Sequence, residues 1–177
     1  MKKQRDQPNR RRSSTAVSPR AKVIINQVPT GVPGLDDILG GGIPEFSFNV
    51  IAGTPGCGKT TLAHQIVFAN ATPERPALYF TVLGEPAIKM LRYQQQYSFF
   101  DAARLGKAIR FINLADVVLE QDLNAVLEEI IKQVTTINPR IVVVDSFRTV
   151  VRKAMTGASE LEMQSFIQRL AQFLTSW

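Results

Sequence analysis

The residues Gly53-Thr54-Pro55-Gly56-Cys57-Gly58-Lys59-Thr60 carry the pattern G-x-x-x-x-G-K-[ST], a spacing suited to holding a polyphosphate. A phosphate needs a concave set of backbone N–H donors. Glycines at 53, 56 and 58 are expected to take positive φ and to let the chain approach the anion with no Cβ in the way. The helix that should follow, opening through Lys59, Thr60 and Thr61, adds unpaired amides and the positive end of its dipole. Lys59 is then placed for the β- and γ-phosphates, and the Thr60 hydroxyl offers a hard oxygen to Mg2+. A glycine-rich turn with no ligand is the plain alternative. The apolar run before the loop and the helical pattern after it favour phosphate binding.

A polyphosphate site of this kind needs a second carboxylate-bearing element. Ile141-Val142-Val143-Val144-Asp145 is an apolar strand ending in an acid, which makes Asp145 the candidate to hold Mg2+ through its water shell. Hydrolysis also requires a group that orients or deprotonates water, and Glu85, just beyond the apolar run Ala77–Leu83, is the candidate. Glu85 is equally suited to complementing a helix dipole with Pro86 at the first position, and both readings stay open. Ser146 and Arg148 either sense the γ-phosphate or simply begin a loop. His64, one turn beyond Lys59, reads as a hydrogen-bonded packing residue. Cys57 occupies a tolerant position of the loop and should be protected by nucleotide. Tyr93, Tyr97, Phe99 and Phe100 read as core or subunit-interface residues rather than a base-stacking platform.

The elements that must position these groups follow from the apolar pattern. Strands are expected at Phe46–Ala52, Ala77–Leu83, Ile109–Leu114 and Ile141–Asp145, the last three nearly continuous in apolar residues, as in strands covered on both faces. Helices are expected at Lys59–Ala71, Pro86–Tyr97, Asp122–Thr136 and Ser159–Trp177. This rotation predicts an α/β fold with a mostly parallel sheet flanked by helices. The last helix sets Met163, Phe166, Ile167, Leu170, Phe173, Leu174 and Trp177 on one face, a stripe that normally leads into a further covering element.

Composition narrows the class. The chain has 177 residues, 45% apolar and 20% charged, enough for one domain, and no apolar run suggests a membrane span. Its net charge of +6 is local: residues 1–22 hold eight bases and one acid, while the rest holds thirteen bases and fourteen acids. Residues 1–22 are therefore expected to be a disordered basic arm, and residues 23–177 the globular body that carries the phosphate-binding loop. The arm could contact nucleic-acid phosphates without sequence preference, or simply be solvated. One cysteine excludes an internal disulfide, and with no apolar leader segment the expected location is cytoplasmic.

The segment from Pro29-Thr30-Gly31 through Gly34-Leu35-Asp36 to Gly40-Gly41-Gly42-Ile43-Pro44, set just before the loop, resembles the lead-in of the KaiC-like branch of RecA-type ATPases. The resemblance extends over about residues 23–177 and includes Asp145-Ser146. It implies a RecA-like P-loop core that binds ATP with Mg2+ and assembles into a ring, usually a hexamer, with a signalling or regulatory role. Lys59 and Thr60 would be the phosphate and metal contacts, Asp145 the Walker B acid, and Glu85 would fall near the family's catalytic glutamates. The family often has two adjacent glutamates there, whereas this chain reads Val82-Leu83-Gly84-Glu85-Pro86. Relative to the family the core is expected to be incomplete at the C-terminus, and protein kinase activity is not supported by this chain. The competing expectations are a nucleotide-binding module that pairs with itself or longer homologues without turnover, and a nucleoside monophosphate kinase, whose loop looks similar but usually lies almost at the start of the chain.

Overall fold

A computed structural model of the chain describes residues 24–82, 87–120, 122–146 and 160–176. Two short strands, β1 (Gln27–Val28) and β2 (Ile43–Pro44), pair antiparallel around the single-turn helix α1 (Leu35–Ile38). Helix α2 (Lys59–Asn70) follows, then β3 (Ala77–Thr81) and α3 (Ala87–Gln94). A 3-10 turn at Ala102–Arg104 precedes β4 (Ile109–Asn113), and α4 (Ala115–Glu120), α5 (Leu123–Ile137), β5 (Ile141–Asp145) and α6 (Glu160–Ser176) complete the order.

The sheet runs β4-β3-β5, all parallel. β3 is central and is buried on both faces, with Ala77, Leu78, Tyr79 and Phe80 fully inaccessible. Its aromatic and aliphatic residues suit a pleated surface, and their alternation divides the core in two. Leu78, Phe80 and Val82 join Leu114, Val126, Leu127, Ile130, Phe166 and Leu170 on the side of α5 and α6. Ala77 and Tyr79 join Ala63, Val67 and Phe68 of α2 on the other. The apolar stripe expected on the last helix is thus seated on α5, and Trp177 lies outside the described residues.

Local chemistry sets the helix limits. The Asp122 carboxylate accepts from the Ala125 N–H at 2.9 Å to start α5, and Asn138 ends it in the left-handed region at φ 51°. Helix α4 was not expected from periodicity, because it is only six residues long. The Asn113 side chain accepts from the Ala115 N–H at 2.9 Å just before it, a local signal visible in the sequence as Asn ahead of an apolar turn.

One expected element differs. Residues 47–52 form no ladder with any strand among the described residues, so the strand expected at Phe46–Ala52 is not present. Phe46 takes a left-handed turn conformation, φ 60°, immediately after β2. Beyond it, the Ser47 hydroxyl donates to Pro44 O and the Asn49 amide donates to Ser47 Oγ at 2.8 Å, local bonds that compete with pairing. Val50 remains 77% exposed.

The register places Thr81 beside both Asn113 and Asp145. The C-terminal ends of all three strands therefore lie level, at the edge where open parallel sheets present ligand-binding groups.

Candidate functional site

Helix α2 begins at this edge. Its N-cap is Gly58, left-handed at φ 89°, and no side chain caps it, so its first amides are left for another acceptor. Gly56 is also left-handed, at φ 82°. Gly53 is not at positive φ, contrary to expectation. Its requirement is spatial: a Cβ there would lie 2.5 Å from Cys57 Sγ. Residues 51–58, including Thr54, Pro55 and Cys57, are exposed, while Lys59, Thr60 and Thr61 are half-buried as the helix sinks into the body.

The Lys59 ammonium donates to two loop carbonyls, Gly53 O at 3.0 Å and Thr54 O at 2.8 Å, and stands 3.7 Å from Cys57 Sγ. It is thus held against the loop's own carbonyls, from which a flexible cation can exchange to another acceptor. Thr60, one residue on, points toward β5. Its hydroxyl donates to Asp145 Oδ2 at 2.7 Å, bringing together two expected metal ligands that are 85 residues apart in sequence.

This pair fits a magnesium ion. Both are hard oxygen donors, and a threonine hydroxyl that gives its proton to the carboxylate keeps its lone pairs for a cation. Among the described residues no group of three or more His, Cys, Asp or Glu is arranged to hold a metal alone. The donor set therefore suits an ion that arrives with phosphate oxygens and waters, as Mg2+ usually does.

Beneath Asp145 lies a buried aromatic layer that sequence reasoning missed. The Tyr79 hydroxyl donates to the same Oδ2 at 2.8 Å. Burial, and secondarily the Asp145 charge, raise the phenol's pKa, so it remains a proton donor. The Tyr79 ring meets His64 edge-on at 4.6 Å and Phe111 at 5.1 Å. His64 is fully buried and packs as expected, with the Gln94 side chain as its polar neighbour, although neither ring nitrogen nor Gln94 Oε1 reaches close hydrogen-bond geometry among the described residues. Desolvation lowers the His64 pKa to about 4, with Gln94 and the Asp145 charge offsetting only part, so the ring is neutral at pH 7. The signal for this layer was Tyr79 itself, a phenol inside a buried-strand pattern that had to find a partner.

The lead-in motif also receives a structural task. Thr30 donates both its N–H and its hydroxyl to Asp36 Oδ1, at 2.8 and 2.7 Å, which lowers the Asp36 pKa. The Gln65 amide donates to Gly31 O at 2.6 Å and the Asn70 amide to Pro29 O at 2.7 Å, tying the motif to α2. A Cβ at Gly31 would come within 2.7 Å of Ala69 Cβ. The motif thus braces the outer side of the loop-bearing helix.

Other candidates separate. Phe99 and Phe100 pack on Phe68, whereas Tyr93 is 72% exposed and Tyr97 stacks on Phe99 at the surface, so the two tyrosines are not core residues. Glu85 and Arg148 lie outside the described residues, and Ser146 ends the described part of the segment after β5. No helix among the described residues is long and apolar enough to cross a membrane.

A family model described as "ATPase: KaiC" matches residues 28–176. The DNA repair protein RadA of Mycobacterium tuberculosis is 34% identical over 131 residues, which are 74% of this chain and 24% of RadA. A UPF0273 protein of Pyrococcus horikoshii is 30% identical over 140 residues, 70% of this chain and 55% of that protein. The crystal structure of a KaiC-like protein from Pyrococcus horikoshii superposes with a TM-score of 0.69 at 24% identity, over 86% of this chain and 67% of the other, a likeness of fold. The chain thus spans from about a quarter to about half of the curated relatives it matches here.

Proposed function

The chain belongs to the KaiC ATPase family, with the α/β core of RecA-type P-loop proteins, and from that membership and the site's geometry we propose that it binds ATP with Mg2+ and hydrolyses it to ADP and phosphate. One observation supports this reading most: the Thr60 hydroxyl sits 2.7 Å from Asp145 Oδ2, directly behind a loop with uncapped amides and a lysine. In this reading residues Gly53 to Thr61 hold the phosphates, with amides of the loop and first helical turn as donors. Lys59 exchanges its two carbonyl partners for phosphate oxygens and stabilises charge on the transferred group. Thr60 and Asp145 would hold Mg2+, which when bound would neutralise phosphate charge. Glu85 is proposed to orient the attacking water.

Assembly into a homo-oligomeric ring, or with longer homologues, is proposed from family membership, as are a regulatory role and a cytoplasmic setting in which Cys57 stays reduced. Binding without turnover is the second reading, favoured by the exposure of residues 51–58, because an open rim does not exclude bulk water. Phosphate release from ATP decides between the two. Turnover that is lost in Glu85→Gln with ATP binding retained is the expected result. No release from the wild-type chain, alone or assembled, would leave binding only.

A further inference from the structure

We propose that Tyr79 is a positioning residue for Asp145: its buried hydroxyl pins the carboxylate in the orientation that serves the magnesium ion of the bound nucleotide. The inference rests on the Mg-ATP reading above and extends it to a residue outside the loop and the β5 acid. Tyr79 stands opposite Val143 in the β3-β5 register, and its side chain reaches along the strand to Asp145, two residues further on. The ring is fully buried and packs against both His64 and Phe111, which themselves meet at 5.7 Å, so the hydroxyl has a fixed origin.

Oδ2 of Asp145 therefore receives two donors of different kinds. Thr60 approaches from the loop side at 2.7 Å and belongs to the phosphate cradle. Tyr79 approaches from the core side at 2.8 Å and belongs to the rigid sheet. A carboxylate held by the cradle alone would follow the loop as phosphate enters and leaves. One also held by the sheet keeps its place while Thr60 moves, so the ion meets a preset acceptor. β-branched or apolar residues would fill the same strand position, but none of them supplies a donor to a charged oxygen at that distance.

The test uses the whole chain and titrates Mg2+ against ATP affinity, comparing wild type with Tyr79→Phe, which keeps the ring packing. With EDTA the two should bind ATP equally. With Mg2+ the variant should require about tenfold more ion to reach half its affinity gain, the loss expected for one hydrogen bond to a charged group. In an Asp145→Asn background the tyrosine substitution should add no further change. Equal Mg2+ midpoints in wild type and Tyr79→Phe would overturn the proposal, as would an equal loss of ATP affinity in EDTA, the mark of a purely structural role. Should ATP bind the wild type with no response to Mg2+, the Mg-ATP reading itself falls and the inference with it; a wild-type response left intact by Tyr79→Phe removes the inference alone. If Tyr79→Phe does not fold, a Tyr93→Phe/Tyr97→Phe chain leaves Tyr79 as the one remaining tyrosine. Its Raman phenol bands should then show a donating phenol both before and after Mg2+ is added to the ATP-loaded protein. Bands that move to those of a non-donating phenol on Mg2+ addition would overturn the proposal.

Discussion

His64 is a neutral ring buried in a sheet–helix interface, with no close hydrogen bond to either ring nitrogen among the described residues, and its burial carries a pH dependence. Its pKa falls from 6.5 in the unfolded chain to about 4 in the folded one, so between these values the unfolded state holds the extra proton. Stability must therefore fall as the pH drops from 6.5 toward 4, by up to about 3 kcal/mol. Urea unfolding at pH 7.5 and 5 should show this loss in wild type and a flatter profile in His64→Phe. A profile as steep in the variant would assign the loss elsewhere. Asp36 acts in the opposite sense: its lowered pKa means that its stabilisation is full above about 3.8 and is lost as the pH falls through the lower folded value. Asp36→Asn should thus weaken the chain at neutral pH and narrow its gap to wild type in acid, by the same unfolding measurement. Among residues, the approach of Thr60 to Asp145 beside the loop and Lys59 was legible, because the G-x-x-x-x-G-K-[ST] spacing and an acid at the end of an apolar strand anticipate it. Tyr79 was not assigned its partner, since a hydrogen bond across 66 residues depends on strand register, which the local pattern does not fix.

Elements were legible where length and period were decisive. β5 matches its expected limits, α5 and α6 agree to a residue at the described ends, and β3 and β4 end slightly earlier than their apolar runs. The failure at Phe46–Ala52 has a physical cause: Ser47 and Asn49 offer the backbone local partners, and apolar character alone does not create a ladder. Two substitutions probe what holds the elements. Asp122→Ala removes the α5 cap and should cost about 1 kcal/mol in urea unfolding. Leu170→Ala empties a fully buried position between α6 and α5 and should cost about 3 kcal/mol. If the cap change proved the larger, α6 would not be packed on α5 as described.

For the whole molecule, the charge asymmetry separates two properties that the net value merges. The family match begins at residue 28, beyond the basic segment, so deleting residues 1–22 should leave ATP affinity unchanged while lowering any salt-sensitive retention on nucleic acid. A deletion that impaired ATP binding would make the segment part of the nucleotide site. Fold class was legible in the strand–helix rotation and is supported by a superposition over 86% of the chain. Beyond family membership, the loop is proposed to bind ATP through Lys59. Calorimetric titration of ATP with Mg2+ into wild type and Lys59→Ala tests it most directly. Loss of a charge-assisted contact to phosphate predicts roughly 10- to 100-fold weaker binding in the variant. Equal affinity in the two chains would contradict the assignment of the site.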